Sequence, residues 1–502
     1  MLDYRVTRWF SIPLAIFLCK RVNALNSALD REYGFWSLFR FALPTIIMMI
    51  FMSLYTIVDG IFVCRFVGSS ALSAVNIVYP LVSVVIGLGV MLATGGSAVV
   101  ARKLGEGDEE TACRDLTLLV LTGAALGTLF SLLGLAFSAP MSRLLGASDA
   151  LLSYCTDYLR ILLLFAPASI LQLLFQSFFV TAGRPGLGLG LTVCSGLTNA
   201  VLDYAFIVPL DMGITGAALA TAAGYCVTAL AGVGFFALRG KGLRFRRPRW
   251  ESRMLLYACG NGSSEMVTNL SNAVITFLFN QLMLSLLGED GVAAITIVLY
   301  AQFLLTALYM GFSMGVAPVI SFNYGAANHA RLQRVFRCCL GFIALSSALV
   351  FGASLGLAEL VVAVFSPAGT AVHTIALDGF YKFAPAFLFA GLNLFASALF
   401  TALSDGLVSA VISFARTFGF LLLALLLLPG VLGGRRSVDR RSLRGAGLLG
   451  PLYRLPGGQA KQISLCMNRK RTRRDLVKEN SSSHPYRHGN GWGSFLVPLQ
   501  IM

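Results

Sequence analysis

The sequence predicts an all-α polytopic membrane protein made of two six-helix repeats, forming two lobes around a central cavity. Three observations carry that reading. Of the 502 residues, 57 % are apolar and only 12 % charged, with a mean hydropathy of +0.77. A soluble domain carries about 25 % charged residues because its surface must face water; at half that share a bilayer has to cover the surface instead. Apolar windows of the length needed to span, about 20 residues, recur along the chain. The two halves also match each other at a constant offset of 220 residues. Together these exclude a soluble enzyme, a disordered scaffold and a secreted disulfide module. The ten cysteines are scattered without a CxxC pair, so neither zinc nor a disulfide framework is indicated.

Residues 1–37 form an N-terminal extension. Its apolar run from Trp9 to Cys19 is too short to span, and the next apolar run is plainly a span, so a signal peptide is not expected. The windows then run over 38–63, 71–99, 116–139, 159–182, 187–209 and 213–238, which form the first lobe (38–238). A basic linker, 239–253, holds Arg239, Lys241, Arg244, Arg246, Arg247, Arg249 and Arg253. The second lobe, 254–432, holds windows at 254–287, 291–320, 335–365, 380–402 and 407–432, making eleven readable spans in all. Basic loops follow even-numbered spans: Arg102 and Lys103 after the second, Arg184 after the fourth, Arg331 and Arg334 after the eighth. By the positive-inside rule the N-terminus is cytoplasmic.

The tail, 433–502, breaks this pattern. From Arg435 onward it carries fourteen Lys/Arg against three Asp/Glu, leaving only +5 of the net +16 for the rest of the chain. An odd number of spans would put this basic stretch outside. Two readings stand: a reading frame lost near Gly433, removing a twelfth span, or a genuine cytoplasmic tail after a re-entrant segment.

The repeat sets Leu72-Ser73-Ala74-Val75-Asn76-Ile77-Val78 opposite Val292-Ala293-Ala294-Ile295-Thr296-Ile297-Val298. Gly95 pairs with Gly315, Gly105 with Gly325, and Asp108 with Asn328. Phe165-Ala166-Pro167-Ala168 recurs as Phe383-Ala384-Pro385-Ala386, two residues out of step. An even number of spans per half makes the repeats parallel, an arrangement of transporters with the substrate site between lobes.

No GxxxxGK[ST] loop occurs, and no His/Cys/Asp cluster has metal spacing. Transport would draw on an ion gradient or a partner, and neither a cofactor nor a metal is expected. Carboxylates inside a bilayer cost several kcal/mol, about 2.5–3.5 on insertion scales, and mark function when present. Asp59 lies in the first span and Asp203 in the fifth, with Asn199 one turn before Asp203 on the same face. Such a group could hold a proton or a sodium ion; a position near the span ends, solvated by headgroup water, is the competing reading for both acids. Glu265, near the start of the seventh span, is ambiguous between cavity lining and a solvated end. Arg416 in the eleventh span is open between a lobe-interior and a snorkelling position.

Phe41-Ala42-Leu43-Pro44-Thr45, then Tyr55-Thr56-Ile57-Val58-Asp59-Gly60-Ile61-Phe62-Val63 and Arg65-Phe66-Val67-Gly68, resemble the first span of the multidrug and toxic compound extrusion (MATE) family. Thr198-Asn199-Ala200-Val201-Leu202-Asp203 resembles its fifth span, and Gly216 to Thr221 its sixth. The resemblance covers about residues 38–432. It implies twelve spans, from which residues 433–502 depart. It also implies an antiporter exporting bulky cationic or amphipathic drugs against H⁺ or Na⁺, with a first-lobe cation site formed by Asp59, Asn199, Asp203 and Thr221. Flexible, flat and polar side chains suited to a drug cavity are Met48, Met52, Tyr55, Phe179, Glu265, Asn280 and Gln302, each with ordinary helix packing as its alternative. The implied partners are small-molecule drugs and the bilayer, without nucleic acid. The implied protein is a monomer in the bacterial inner (plasma) membrane. Two other readings stand beside it. A lipid-linked precursor flippase of the same superfamily would need several Arg or Lys in its cavity, and the first-lobe spans have almost none. A transport-incompetent product truncated in its last span would account for the tail.

Overall fold

The computed structural model describes residues 28–238, 240 and 242–415, with side chains at 61, 64, 69, 273 and most of 275–289 outside the description. Expectations for residues 1–27, the side chain of Asn280, Arg416 and the tail 433–502 therefore lie outside the described residues. Every regular element described is helical. They are α1 (Phe35–Phe62, continued by a π turn, Val63–Val67), α2 (Ser69–Gly105), α3 (Glu109–Leu144), α4 (Leu152–Leu164), α5 (Ala166–Thr181), α6 (Pro185–Ile207) and α7 (Gly213–Leu238). Then follow α8 (Ser252–Gly325), α9 (His329–Gly356), α10 (Ala358–Phe365), α11 (Ala371–Phe383), α12 (Ala386–Ala402) and α13 (Gly406–Phe414). A bilayer forces this choice, since only helices and closed barrels satisfy their backbone groups internally.

Among the described residues, seven helical stretches are long and apolar enough to cross a membrane. Two bent pairs raise the number to nine: α4 with α5, at 53°, and α11 with α12, at 57°. The repeated Phe-Ala-Pro-Ala motif sits at both bends. Proline cannot donate to the preceding turn, so the helix breaks there and restarts, with Pro167 in the first turn of α5 and Pro385 at the N-cap of α12. The fourth and tenth spans thus begin earlier than their hydropathy windows, at Leu152 and Ala371.

The expected seventh and eighth spans are joined without a break in α8, 74 residues long. A straight helix of that length would measure about 110 Å, several times a bilayer. The packing shows that it doubles back. A Cβ on Gly95 of α2 would lie 2.0 Å from the Ala258 carbonyl oxygen, and one on Gly105 2.0 Å from the Phe322 carbonyl oxygen. Those two glycines are only about 15 Å apart along α2, so both ends of α8 meet one helix. The legs correspond to the two expected spans, and the second is membrane-length from Asp290 to Gly325.

The offset of 220 governs the packing as well as the sequence. Gly105 faces the Phe322 carbonyl, and Gly325 faces the Arg102 carbonyl at 2.1 Å from a built Cβ. Gly95 packs on Ala258 and Gly262, while its counterpart Gly315 packs on Ala42 at 3.1 Å. Asp108 caps α3 by accepting from Thr111 N at 3.0 Å, and Asn328 caps α9 by accepting from Arg331 N at 3.1 Å. These contacts are pairwise reciprocal, as a two-fold relation between repeats requires. Small residues let the backbones approach this closely, which matters in lipid, where helix association rests on packing rather than on a hydrophobic drive.

Two main cores result. One gathers residues of α2 to α7 with Met254, Leu255 and Ala258 from the start of α8. The other gathers α8, α9 and α12 with Leu38, Ala42 and Ile46 from the start of α1. The lobes therefore exchange the first turns of their leading helices. The segment before α1 joins the second core through buried Leu29 and Tyr33, and Asp30 and Glu32 pair with Arg331 (2.7 Å) and Arg334 (3.1 Å).

Candidate cation site in the first lobe

Once past the second-lobe core, α1 leans on α6: a Cβ on Gly196 would lie 2.6 Å from the Phe51 ring. That tilt carries Asp59, two turns further on, to the level of Asp203 on α6. Their carboxyls lie within hydrogen-bonding range of each other, an interaction that needs one proton between them. Asp59 Oδ1 and Asp203 Oδ1 are both buried and without a hydrogen-bond partner within the protein. Immediately beyond Asp59 the helix loosens into the π turn, and the Val63 N–H is shared between the Asp59 and Gly60 carbonyls. Such turns are rare and often stand at functional sites.

On the other flank, Asn199 Nδ2 donates to Thr221 Oγ1 at 3.2 Å, joining α6 to α7. Asn199 and Asp203 are 1 % and 2 % exposed and Thr221 is 7 % exposed. All four residues that the resemblance nominated thus converge on one point of the first lobe, from three helices. The donor set is oxygen-rich and carries two carboxyls, the chemistry of a proton or hard-cation site. Buried unpartnered carboxyl oxygens are costly, and a positive ligand would offset that cost.

Three tyrosines that residue-level reading did not assign to the acids lie within electrostatic reach of them. Tyr55, Tyr158 and Tyr225 all interact electrostatically with Asp59, and Tyr55 and Tyr158 also with Asp203. Tyr55 is one turn before Asp59 and Tyr225 one turn after Thr221, a spacing that could have flagged both. Tyr158 sits on α4, and only the fold brings it in.

The expected cavity residues do not converge in the same way. Met48 and Phe179 are buried in helix packing, at 1 % and 0 % exposure. Met52 is half-buried and touches the Gln176 amide through its sulfur at 3.8 Å. Glu265 is half-buried on the first leg of α8, beside Met266, which packs against Gly87. Gln302 is half-buried on the second leg. A cavity of about 450 Å³ lies instead in the second lobe, bounded by Thr296, Ile297, Tyr300, Phe365 and Thr370, and includes none of them.

Comparison with known proteins agrees with this fold. The MatE family profile matches residues 44–205 and 266–426. The multidrug export protein MepA of Staphylococcus haemolyticus (strain JCSC1435) is 25 % identical over 336 residues, 66 % of this chain and 74 % of that protein. MepA of Staphylococcus aureus (strain MSSA476) is 26 % identical over 316 residues, 62 % of this chain and 69 % of its own length. A crystal structure of MATE in complex with MaL6 superposes with a TM-score of 0.76 at 22 % identity, covering 80 % of this chain and 90 % of that one. The outward-facing conformation of a multidrug resistance MATE family transporter gives 0.74 at 23 % identity, covering 81 % and 90 %. With the profile covering well over half its length, this chain belongs to the MatE family of multidrug efflux transporters.

Proposed function

We propose that the protein is a monomeric antiporter that exports cationic or amphipathic drugs against H⁺ or Na⁺. It would sit in the cell's inner (plasma) membrane with its N-terminus and basic loops on the cytoplasmic side. The observation that carries the coupling is the pair of half-buried Asp59 and buried Asp203, held beside Asn199 and Thr221. Two facing carboxyls with unpartnered oxygens are stabilised by a bound cation and destabilised without one. The multidrug export named for the staphylococcal relatives supports the substrate class. An ion loaded from outside neutralises the pair, favours the packing of α1 against α6, and so competes with bound drug. One charge crossing 100 mV supplies about 2.3 kcal/mol, roughly a fifty-fold gradient.

The test is efflux of a fluorescent cationic dye from energised cells expressing the chain or Asp203→Asn at matched membrane levels. Efflux that disappears in the variant, and on collapsing the ion gradient, is the expected result. Efflux that survives Asp203→Asn would remove the acid pair from the mechanism. Silence from both proteins, reversed by supplying a family-like twelfth span in place of residues 433–502, would trace the defect to the tail.

A further inference from the structure

Beyond the four residues of the cation site, the interior of the first lobe holds polar side chains that the coupling scheme does not use. They fall in three stripes. On α5 these are Ser169, Gln172 and Gln176; on α6, Thr192 and Ser195 continue the face of Asn199 and Asp203; on α7, Tyr225 and Thr228 continue the face of Thr221. Spacings of three and four residues put each stripe on one helical face. The three faces are turned toward one another. Gln176 Nε2 donates to Thr192 Oγ1 at 3.2 Å, joining α5 to α6, and Ser195 Oγ donates to the Gly224 carbonyl at 2.6 Å, joining α6 to α7.

The α5 and α7 stripes are level with each other. A Cβ on Gly232 would meet the Phe175 ring at 2.3 Å, and Ser169 and Tyr225 bound one small cavity together with Leu162 and Leu163. Both contacts pair residues 56–57 apart, so Thr228 lies level with Gln172. That cavity measures about 10 Å³, the size that admits one water. One turn beyond its lining residues Ser169 and Tyr225, and next to its lining residue Val82, Gln172 Oε1, Thr228 Oγ1 and Ser83 Oγ are buried with no hydrogen-bond partner in the protein, on residues 5 %, 0 % and 4 % exposed. Buried polar atoms are almost always satisfied, by protein or by water. Three orphans beside a water-sized cavity point to the same ligand.

The file ends toward the basic-loop side in an aromatic plug. Phe175, Phe179 and Phe236 are fully buried and their rings lie 5.7–6.4 Å apart. From Asp203 to Thr192 the polar face covers eleven residues, about 16 Å along α6.

We propose that the first lobe binds a file of internal waters running from Asp59/Asp203 past Tyr225, Ser169, Gln172 and Thr228 toward the Gln176–Thr192 pair, and that this file carries the coupling proton inward. The proposal rests on the coupling reading above and deepens it by naming H⁺ as the ion released through the lobe. The step balances simply. The protonated carboxyl gives its proton to the first water, each water passes one on, and the last delivers one to the inner solvent, leaving a carboxylate. The Phe175/Phe179/Phe236 plug closes the inner end in this conformation and prevents a leak while the outer side is open.

Two measurements on the full chain in lipid nanodiscs and proteoliposomes test it. Hydroxyl radicals generated by X-rays label side chains beside bound water, even buried ones. Leu163, 2 % exposed on the cavity wall, is expected to label well above Leu174, which is 0 % exposed in a dry part of the same core. In Ser169→Ala/Thr228→Val, Leu163 falls to the Leu174 level. In Gln172→Leu and Thr228→Val, dye-driven proton flux, read with a pH dye inside the vesicles, slows about tenfold, equivalent to about 1.4 kcal/mol of barrier. A wild-type Leu163 as unreactive as Leu174 would overturn the proposal without any variant. Wild-type proton flux in both folded variants would overturn it as well. Efflux with Na⁺ and no proton movement would overturn it while leaving antiport intact. Asp203→Asn retaining efflux would defeat the coupling scheme itself, a result separate from the labelling.

Discussion

Among the described residues, α2 and the second leg of α8 meet in a backbone contact, and adding one methyl group there should change which state the protein occupies. Gly105→Ala would place a Cβ 2.0 Å from the Phe322 carbonyl oxygen, and Gly325→Ala one 2.1 Å from that of Arg102. Ordinary contact begins near 3.4 Å, so α2 and the second leg of α8 must separate by the difference, 1.4 Å at Gly105 and 1.3 Å at Gly325. Neither neighbour is a side-chain tip that can rotate away; both are carbonyls held in helices. Overpacking of this kind costs about 1–3 kcal/mol. The strain exists only where these ends touch, so it acts on that state alone and shifts the equilibrium about five- to 150-fold toward separated ends. The assay is pulsed electron-spin distance measurement between labels at Glu110→Cys and Ala330→Cys, exposed positions related by the 220-residue offset, in a background lacking the ten native cysteines. The double alanine variant is expected to populate a longer distance than the parent. An unchanged distribution in a well-folded variant would refute the view that this crossing is a tight contact of one state.

Three further outcomes follow from particular residues. The Asp108 carboxylate, capping α3 through Thr111, is held below the usual carboxylate range by hydrogen bonding to the Thr111 side chain and then to its backbone N–H. Its stabilisation is therefore complete above about pH 4 and is lost as pH falls through the lowered folded value; Asp108→Asn keeps the cap and should flatten thermal stability across pH 3–5, while an unchanged pH profile would exclude Asp108 as the source. Half-buried Arg331 pairs with exposed Asp30 and Glu32, so Arg331→Ala should lower unfolding stability by less than about 1 kcal/mol, an effect that fades at high salt; a larger, salt-insensitive loss would contradict a surface pair. Phe236 is fully buried between Phe175 and Phe179, and Phe236→Ala should cost about 3–5 kcal/mol in denaturant titration. A cost under about 1 kcal/mol would mean that the plug is loosely packed.

How far the sequence reached differs from element to element. Spans were legible because lipid demands long apolar runs, and the repeat was legible because duplication leaves an offset. Yet the same hydropathy windows missed Leu152 and Ala371, where bent spans begin with mixed-polarity helices, α4 and α11. The gap between the windows 254–287 and 291–320 lies within the continuous helix α8. Asp59, Asn199 and Asp203 stood out because polar groups are rare in a bilayer. Thr221 came only from family resemblance, since a single hydroxyl in an apolar helix usually bonds its own backbone. Met48 and Phe179 show the opposite failure: composition suited a cavity, and packing placed them in the core.

By itself, then, the sequence determined that this is a duplicated helical membrane transporter with acids in its first lobe, because charge, hydropathy and offset are properties of the chain that any fold must respect. Tertiary structure alone decided that α1 starts in one lobe's core and ends against the other's α6. It also decided that α8 returns along α2, and that Tyr158, Gln172 and Thr228 share an interior with the acid pair. Those facts depend on which helical faces meet and at what level. A backbone crossing at a glycine, or an orphaned hydroxyl one turn from a cavity, comes into being only when separate helices are brought together.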